Sequence, residues 1–502
     1  MIHPASAWQA QAARDASVRG MAGRSSRLRL CTAFFVACLL LVLTTRAAVA
    51  SEGFLPAGSL SYTETRLDNG LRLVVQPVDS APYLSLRLVI KTGFDHYPCD
   101  DRELPHLVEH LLFSANDQLT ETGIDDLVRS WGGSINAYTY PETTEIVLDA
   151  HSRFRHEAIG LVATMISGFA PTTDDVAREI TVVEQESGVE HTPLRLWWSR
   201  QPFTQRASQK FFVDTGAHCN AGIASVRHLA VDDVLRSFDT QYVAANMLLV
   251  LVGNLGDDGA ATARMVFGAL PARPAPSNTP LDIRMPSQDG YASGWLSGSA
   301  GLDQPTAMGI APFHDWRGYY ALSLVADWLN DRLYRELRSE SGIAYTPVAD
   351  LGYHGTALSM TLAVETRAAD TAFTQQYLRD LVAEVGTQGI SEEEFQQLRA
   401  AALLGMARAF ERISDRADYL AQSSREIEGG GLFDSEAFYS ALTYDEFRAL
   451  VQRDWPARFV VFNDAPPVSW SMRIGLLLGS LALLAAALGW RAWRRLREMR
   501  PG

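Results

Sequence analysis

Residues 105–113 read Pro105-His106-Leu107-Val108-Glu109-His110-Leu111-Leu112-Phe113. The apolar residues around the polar ones, with Pro105 able to sit in a first turn, suit a helix. On a helix His106 and His110 are one turn apart, so both imidazoles project from one face. Two imidazoles in that arrangement can share one Zn2+ at about 2.0–2.1 Å each. Glu109, three residues after His106, shares the face and can take a proton from an attacking water. The bland alternative is a pair of surface histidines beside a solvated glutamate. Apolar flanks argue against it.

Two histidines leave a catalytic zinc one protein ligand short of the usual three. The missing ligand should be an acid or histidine on another element. Arg178-Glu179-Ile180-Thr181-Val182-Val183-Glu184-Gln185-Glu186 supplies candidates. Glu179 and Glu186 lie two turns apart on one helical face, and Glu184 points elsewhere.

Around this centre the chain alternates strand and helix signals. Residues 59–93 look like strands, with Asn69-Gly70 as a hairpin turn. A second helix is expected around Ile124 to Trp131, ended by Gly132-Gly133. Ser134 to Ala150 reads as extended, rich in β-branched residues and Tyr. Helical periodicity returns at His156 to Phe169 and from Asp174 to about Glu190. Met247 to Asn254 reads as a buried strand and turn. Residues 271–290 hold five Pro and read as a linker. Beyond it the order restarts. Strands are expected near 291–312, a helix at Tyr319 to Arg338, and extended segments at Ala344 to Glu365. Long helices at 367–426, a helix near 444–453 and a strand at Arg458 to Phe462 follow. The expectation is an α+β protein of two similar α/β domains, each an antiparallel-rich sheet covered by helices. The zinc-binding domain would span 51–270 and the second, zinc-free domain 291–465.

The ends carry membrane signals. Arg24, Arg27 and Arg29 precede an apolar run from Leu30 to Leu43, and Ala48-Val49-Ala50 follows. Residues 1–50 therefore read as a secretory signal peptide or an uncleaved N-terminal anchor. Ile474 to Trp490 is apolar, uncharged and flanked by Trp470 and Trp490, so a transmembrane helix is expected at 474–490. Arg491, Arg494, Arg495 and Arg497 in the 491–502 tail mark a cytoplasmic side. The body would then sit outside the cytoplasm, in a bacterium on the periplasmic face of the inner membrane. Formal net charge is −14, and with +5 in residues 1–50 and +4 in 491–502 the body carries −23. An acidic body argues against a nucleic-acid partner. Cys31 and Cys38 lie in the leader segment. Cys99 and Cys219 remain in the body, either disulfide-bonded to each other or as two free thiols.

The His-x-x-Glu-His pattern at 106–110, an inverzincin order, together with Glu179-Ile180-Thr181-Val182 leading to Glu186, resembles the insulinase/pitrilysin family of zinc metallopeptidases, including the mitochondrial processing peptidases. Gly132-Gly133-Ser134-Ile135-Asn136-Ala137-Tyr138-Thr139 is similar to the family's Gly-Gly-x-x-Asn-Ala-x-Thr. Arg332-Leu333 through Leu337-Arg338, then Gly342-Ile343-Ala344-Tyr345, is similar to a further family motif. The resemblance spans roughly residues 60–465. It implies that His106, His110 and Glu186 hold one Zn2+, with Glu109 the general base and Glu179 a supporting acid. It implies an edge strand with Asn136 and Ala137 that pairs with substrate backbone, while Arg338 and Tyr345 hold substrate from the second half. The chain departs from the family at Ile180, where the family often has Arg or Lys, and at Asp327-Trp328-Leu329-Asn330, where it often has small residues. The expected activity is a membrane-tethered zinc endopeptidase acting on peptides or unfolded polypeptide. The rival is a catalytically lapsed peptide-binding or scaffold subunit. A homodimer, or a heterodimer with a related subunit, is an expected assembly.

Overall fold

The computed structural model describes residues 61–186, 197, 201–216, 226–278, 282–294, 302–423, 433–464 and 470–498. The first hairpin forms at the Asn-Gly turn. β1 (Thr63–Arg66) pairs antiparallel with β2 (Arg72–Pro77). Gly70 sits between them at φ +92, with Ala245 packed where a Cβ would stand. Asn69 anchors the turn by donating to the carbonyls of Phe267 and Leu270 at 2.8 and 3.0 Å.

β3 (Tyr83–Ile90), α1 (Leu104–Ser114), α2 (Glu121–Ser130), β4 (Ser134–Thr139), β5 (Thr144–His151), α3 (Arg155–Ser167) and α4 (Thr173–Glu186) follow. Then come α5 (Ala207–Thr215), α6 (Val231–Gln241), β6 (Met247–Gly253) and α7 (Gly259–Gly268). The strands form a sheet in the order β1-β2-β6-β3-β5-β4. β2 and β6 are parallel, and the other pairings in it are antiparallel.

The second half holds β7 (Gln304–Pro312), α8 (Trp316–Leu333) running on as a π-helix over Tyr334–Glu340, β8 (Val348–His354) and β9 (Ala357–Ala363). It continues with α9 (Thr371–Thr387), α10 (Glu392–Ala409), α11 (Ile413–Gln422), α12 (Ser435–Ala441), α13 (Tyr444–Asp454) and β10 (Phe459–Asp464). Its sheet runs β10-β7-β9-β8, all antiparallel. That order repeats β6-β3-β5-β4 strand for strand. The mixed α/β fold of two similar domains is the architecture expected from the restarting pattern.

Both faces of the first sheet are buried, which explains why β6 reads as a continuous apolar run and why even Ser85 and Arg87 of β3 are buried. Leu84, Leu86, Leu88, Leu249 and Leu251 pack on one face with Leu107 and Leu111 of α1 and Ile159 and Val162 of α3. The other face, with Val74, Val89, Leu248, Val250 and Val252, is covered by Ala417, Leu420 and Ala421 of α11 from the second half. The exchange is reciprocal. Ala207 and Phe211 of α5, in the first half, pack on Met308, Val460 and Phe462 of the second sheet. Each contact carries buried charge. Arg87 of β3, only 2% exposed at its side chain, meets Asp418 of α11 at 2.6 Å and Asp149 of β5 at 3.0 Å. Asp464 of β10 accepts from the Ser208 backbone N–H at 2.9 Å and from the Ser208 hydroxyl.

Among the described residues no helix is long and apolar enough to cross a membrane. The 474–490 stretch lies within α14 (Trp470–Glu498), several of whose side chains are outside the description. Leu478, Leu481, Leu483, Leu484, Leu488 and Trp490 on that helix are exposed. The leader at 1–50, with Cys31 and Cys38, lies outside the described residues, as do Cys219 and the tail from 499 onward. Cys99 is disulfide-bonded.

Candidate metal and catalytic centre

α1 forms where the sequence places it. Pro105 lies in its first turn, and Leu104, Leu107, Val108, Leu111 and Leu112 are buried. This packing fixes the helix against the sheet and leaves the His106–His110 face toward α4. On α4, Val176 and Val183 are buried with Glu179 on the inner face. Ile180 is half-buried and packs against the same core.

The two helices bring three ligand atoms together. His106 Nε2 and His110 Nε2 are 3.2 Å apart. Glu186 Oε2 lies 3.4 Å from the first and 3.5 Å from the second. A tetrahedral zinc with bonds of about 2.0–2.1 Å has ligand–ligand edges of roughly 3.3–3.4 Å. The triangle therefore fits such an ion before any adjustment. Behind it, His106 Nδ1 is 3.1 Å from Glu103 Oε2, and His110 Nδ1 is 3.5 Å from Glu179 Oε2. An ionised Glu103 carboxylate only accepts, so His106 hydrogen-bonded to it carries its hydrogen on Nδ1 and presents the Nε2 lone pair to the triangle. With His110 in the same tautomer, the three ligand atoms form a donor-free set that suits a cation. Glu179 is nearly buried, whereas the Glu186 side chain is 47% exposed, so the triangle opens toward Glu186 and solvent.

Glu109 sits beside the triangle and accepts a hydrogen bond from the Thr139 hydroxyl on β4. Burial raises its carboxyl above the ordinary carboxylate range, and the Thr139 hydrogen bond and the two histidines only partly offset this. Burial lowers the His106 imidazole, but the Glu103 hydrogen bond and the charges of Glu109, Glu103 and Glu186 outweigh it and leave the imidazole above its usual value.

The remaining expected residues lie on β4, whose Thr139 reaches Glu109, and in the second half. β4 is the end strand of its sheet, pairing with β5 on one side. Asn136 is exposed and donates to the Tyr138 hydroxyl at 3.0 Å, while Ala137 is buried in the core. Arg338 lies in the π-helical turn of the second half. Its guanidinium stacks 4.3 Å from the Tyr345 ring and 5.5 Å from the Tyr334 ring, and it donates to the Tyr345 carbonyl. Tyr345 is 72% exposed. Among the described contacts, none joins Arg338 or Tyr345 to His106, Glu109, His110 or Glu186. Sequence reasoning passed over two residues. Thr139 closes the Gly-Gly motif without having been given a role there. Glu103, one turn before His106, was signalled only by its spacing.

The family described as "Insulinase (Peptidase family M16)" matches residues 73–194, and that described as "Peptidase M16 inactive domain" matches residues 228–402. Taken with the His–His–Glu triangle on a duplicated sheet, this defines the class: the chain belongs to the insulinase/pitrilysin family of zinc metallopeptidases. An uncharacterized zinc protease of Mycobacterium bovis is 26% identical over 387 residues, covering 72% of this chain and 83% of the relative. A protease from Helicobacter pylori superposes with a TM-score of 0.66 at 16% identity, over 80% of this chain and 99% of that one. The periplasmic protease PqqL from Escherichia coli superposes with a TM-score of 0.62 at 14% identity, over 81% of this chain and 45% of that one.

Proposed function

We propose that this chain is a zinc endopeptidase that hydrolyses peptides or unfolded polypeptide, held on a membrane with its body outside the cytoplasm. The observation that carries the reading is the triangle of His106, His110 and Glu186 ligand atoms beside a half-buried Glu109. The residues fit one zinc per chain, which when bound would polarise the scissile carbonyl and acidify water. Glu109 accepts the proton of the attacking water and returns it to the leaving amine. Thr139 fixes the orientation of that carboxylate. The free side of β4 can pair with an extended peptide, the strand-addition mode, with Asn136 and Ala137 on the pairing strand. Arg338 and Tyr345 are assigned to substrate holding by resemblance, and the stacked pair, half-buried Arg338 under exposed Tyr345, supplies a donor and an aromatic face.

Exposed leucines along α14 and the arginines after Trp490 support the membrane tether. The similarity to the periplasmic protease PqqL of Escherichia coli supports the location. This chain spans less than half of that protease, so a pair of such chains, alike or related, supplies a comparable number of domains.

The full chain in detergent, assayed for metal content and for digestion of a peptide library, tests the reading. One zinc per chain and cleavage are expected. Glu109→Gln should keep the zinc and lose the cleavage, and undiminished cleavage by that variant would refute the assignment.

A further inference from the structure

We propose that Glu103 is a positioning residue that sets the tautomer and ring orientation of His106 for metal binding. The inference rests on the zinc reading above and adds a residue to it. Glu103 occupies the N-cap of α1, and its backbone carbonyl accepts from Leu107 N–H at 2.9 Å. An N-cap side chain ordinarily accepts from the second or third helical amide. Here the second helical residue is Pro105, which has no N–H. The Glu103 carboxylate makes no cap hydrogen bond. It turns instead to His106 Nδ1 at 3.1 Å.

Glu179 lies behind His110 at 3.5 Å on a separate helix, whereas Glu103 is hydrogen-bonded to His106 and belongs to the same turn as the histidine it holds. His106 is thus held by a residue adjoining its own helix. A carboxylate that accepts from Nδ1–H keeps the Nε2 lone pair on the ligand triangle. Without it the ring samples both tautomers, and the Nε2 ligand must be selected from a mixture.

Zinc affinity of the full chain in detergent, measured by competition with a chromophoric chelator at one pH, tests the proposal. Glu103→Ala should weaken binding about 10–100-fold. Glu103→Gln, whose amide oxygen still accepts from Nδ1–H, should recover a clear part of that loss. The visible spectrum of the Co2+-loaded Ala variant should shift, reporting altered ligand geometry. Thermal unfolding of the metal-free proteins should be unchanged, because the side chain caps nothing. The proposal fails if Glu103→Ala binds zinc within twofold of wild type, if Gln rescues nothing, or if metal-free stability falls in step with affinity. Wild type that binds no zinc would overturn the metal reading itself, a separate result.

Discussion

The two halves share a strand order and differ in the helix that follows the first shared strand. In the first half α1 follows β3 and presents two histidines and a glutamate on one face. In the second half α8 follows β7, and Ala321, Leu322, Leu324, Val325, Leu329 and Leu333 make its buried face. No metal-ligand cluster is found there among the described residues; the cluster of that kind consists of His106, His110 and Glu186. The fold therefore stands without a metal, and the chemistry is grafted onto one copy of it. The second copy spends the corresponding stretch on apolar packing and ends it in a π-helical turn that displays Arg338. π-Helical turns recur at functional sites, and Arg338 in this one is the residue assigned to substrate by resemblance.

The contrast can be broken or sharpened by experiment. The largest effect is expected at the centre. Glu109→Gln should lower kcat/KM on an unstructured peptide by about 10^2–10^4-fold, the usual worth of a positioned acid–base group. Metal content should stay at that of wild type, so that loss of zinc in this variant would mean the first half needs Glu109 for binding. Next come the contacts between the halves. Asp418→Ala leaves the buried Arg87 guanidinium with Asp149 as its remaining carboxylate partner, and chemical denaturation should register a loss of about 2–3 kcal/mol. Its counterpart is Asp464→Ala, which removes the acceptor of the Ser208 amide and hydroxyl. About 1–3 kcal/mol should be lost on the same assay. If one variant proves neutral, the two exchanges are unequal and one half carries the interface. The smallest effect is expected from Thr139→Val. Removing the hydroxyl that orients Glu109 should cost roughly tenfold in kcat, about 1.4 kcal/mol, with KM and zinc content preserved.

Much of this was legible in the sequence because local rules decided it. The His106–His110 spacing, the Pro105 start and the apolar flanks specify α1 without reference to the rest of the chain. The Asn69-Gly70 turn and the Met247–Gly253 run are equally local. Glu186 was reachable because a metal needs a third ligand and few acids lie on a suitable helical face. Other features depend on residues far apart in the chain. The parallel pairing of β2 with β6 joins segments more than 150 residues apart, and no local pattern announces it. α5 carries a mixed, partly polar face that blurs its periodicity. Arg87 within a hydrophobic strand signals a buried charge, but its partner Asp418 is identifiable only once α11 is seen to cross over. Glu103 was hidden for another reason. Glutamate is not a favoured N-cap, and its turn toward His106 shows only in the geometry.

The helix crossover has a consequence for biogenesis. A nascent chain can lay down its opening six strands once residue 253 has emerged, yet the valines and leucines on their outer side stay wet until residues 413–422 arrive. During that interval the ribosome or a translocation channel would be holding a half-finished, adhesive surface. Holdase chaperones are thus expected to engage the N-terminal portion of this polypeptide during synthesis and to let go when α11 closes over it.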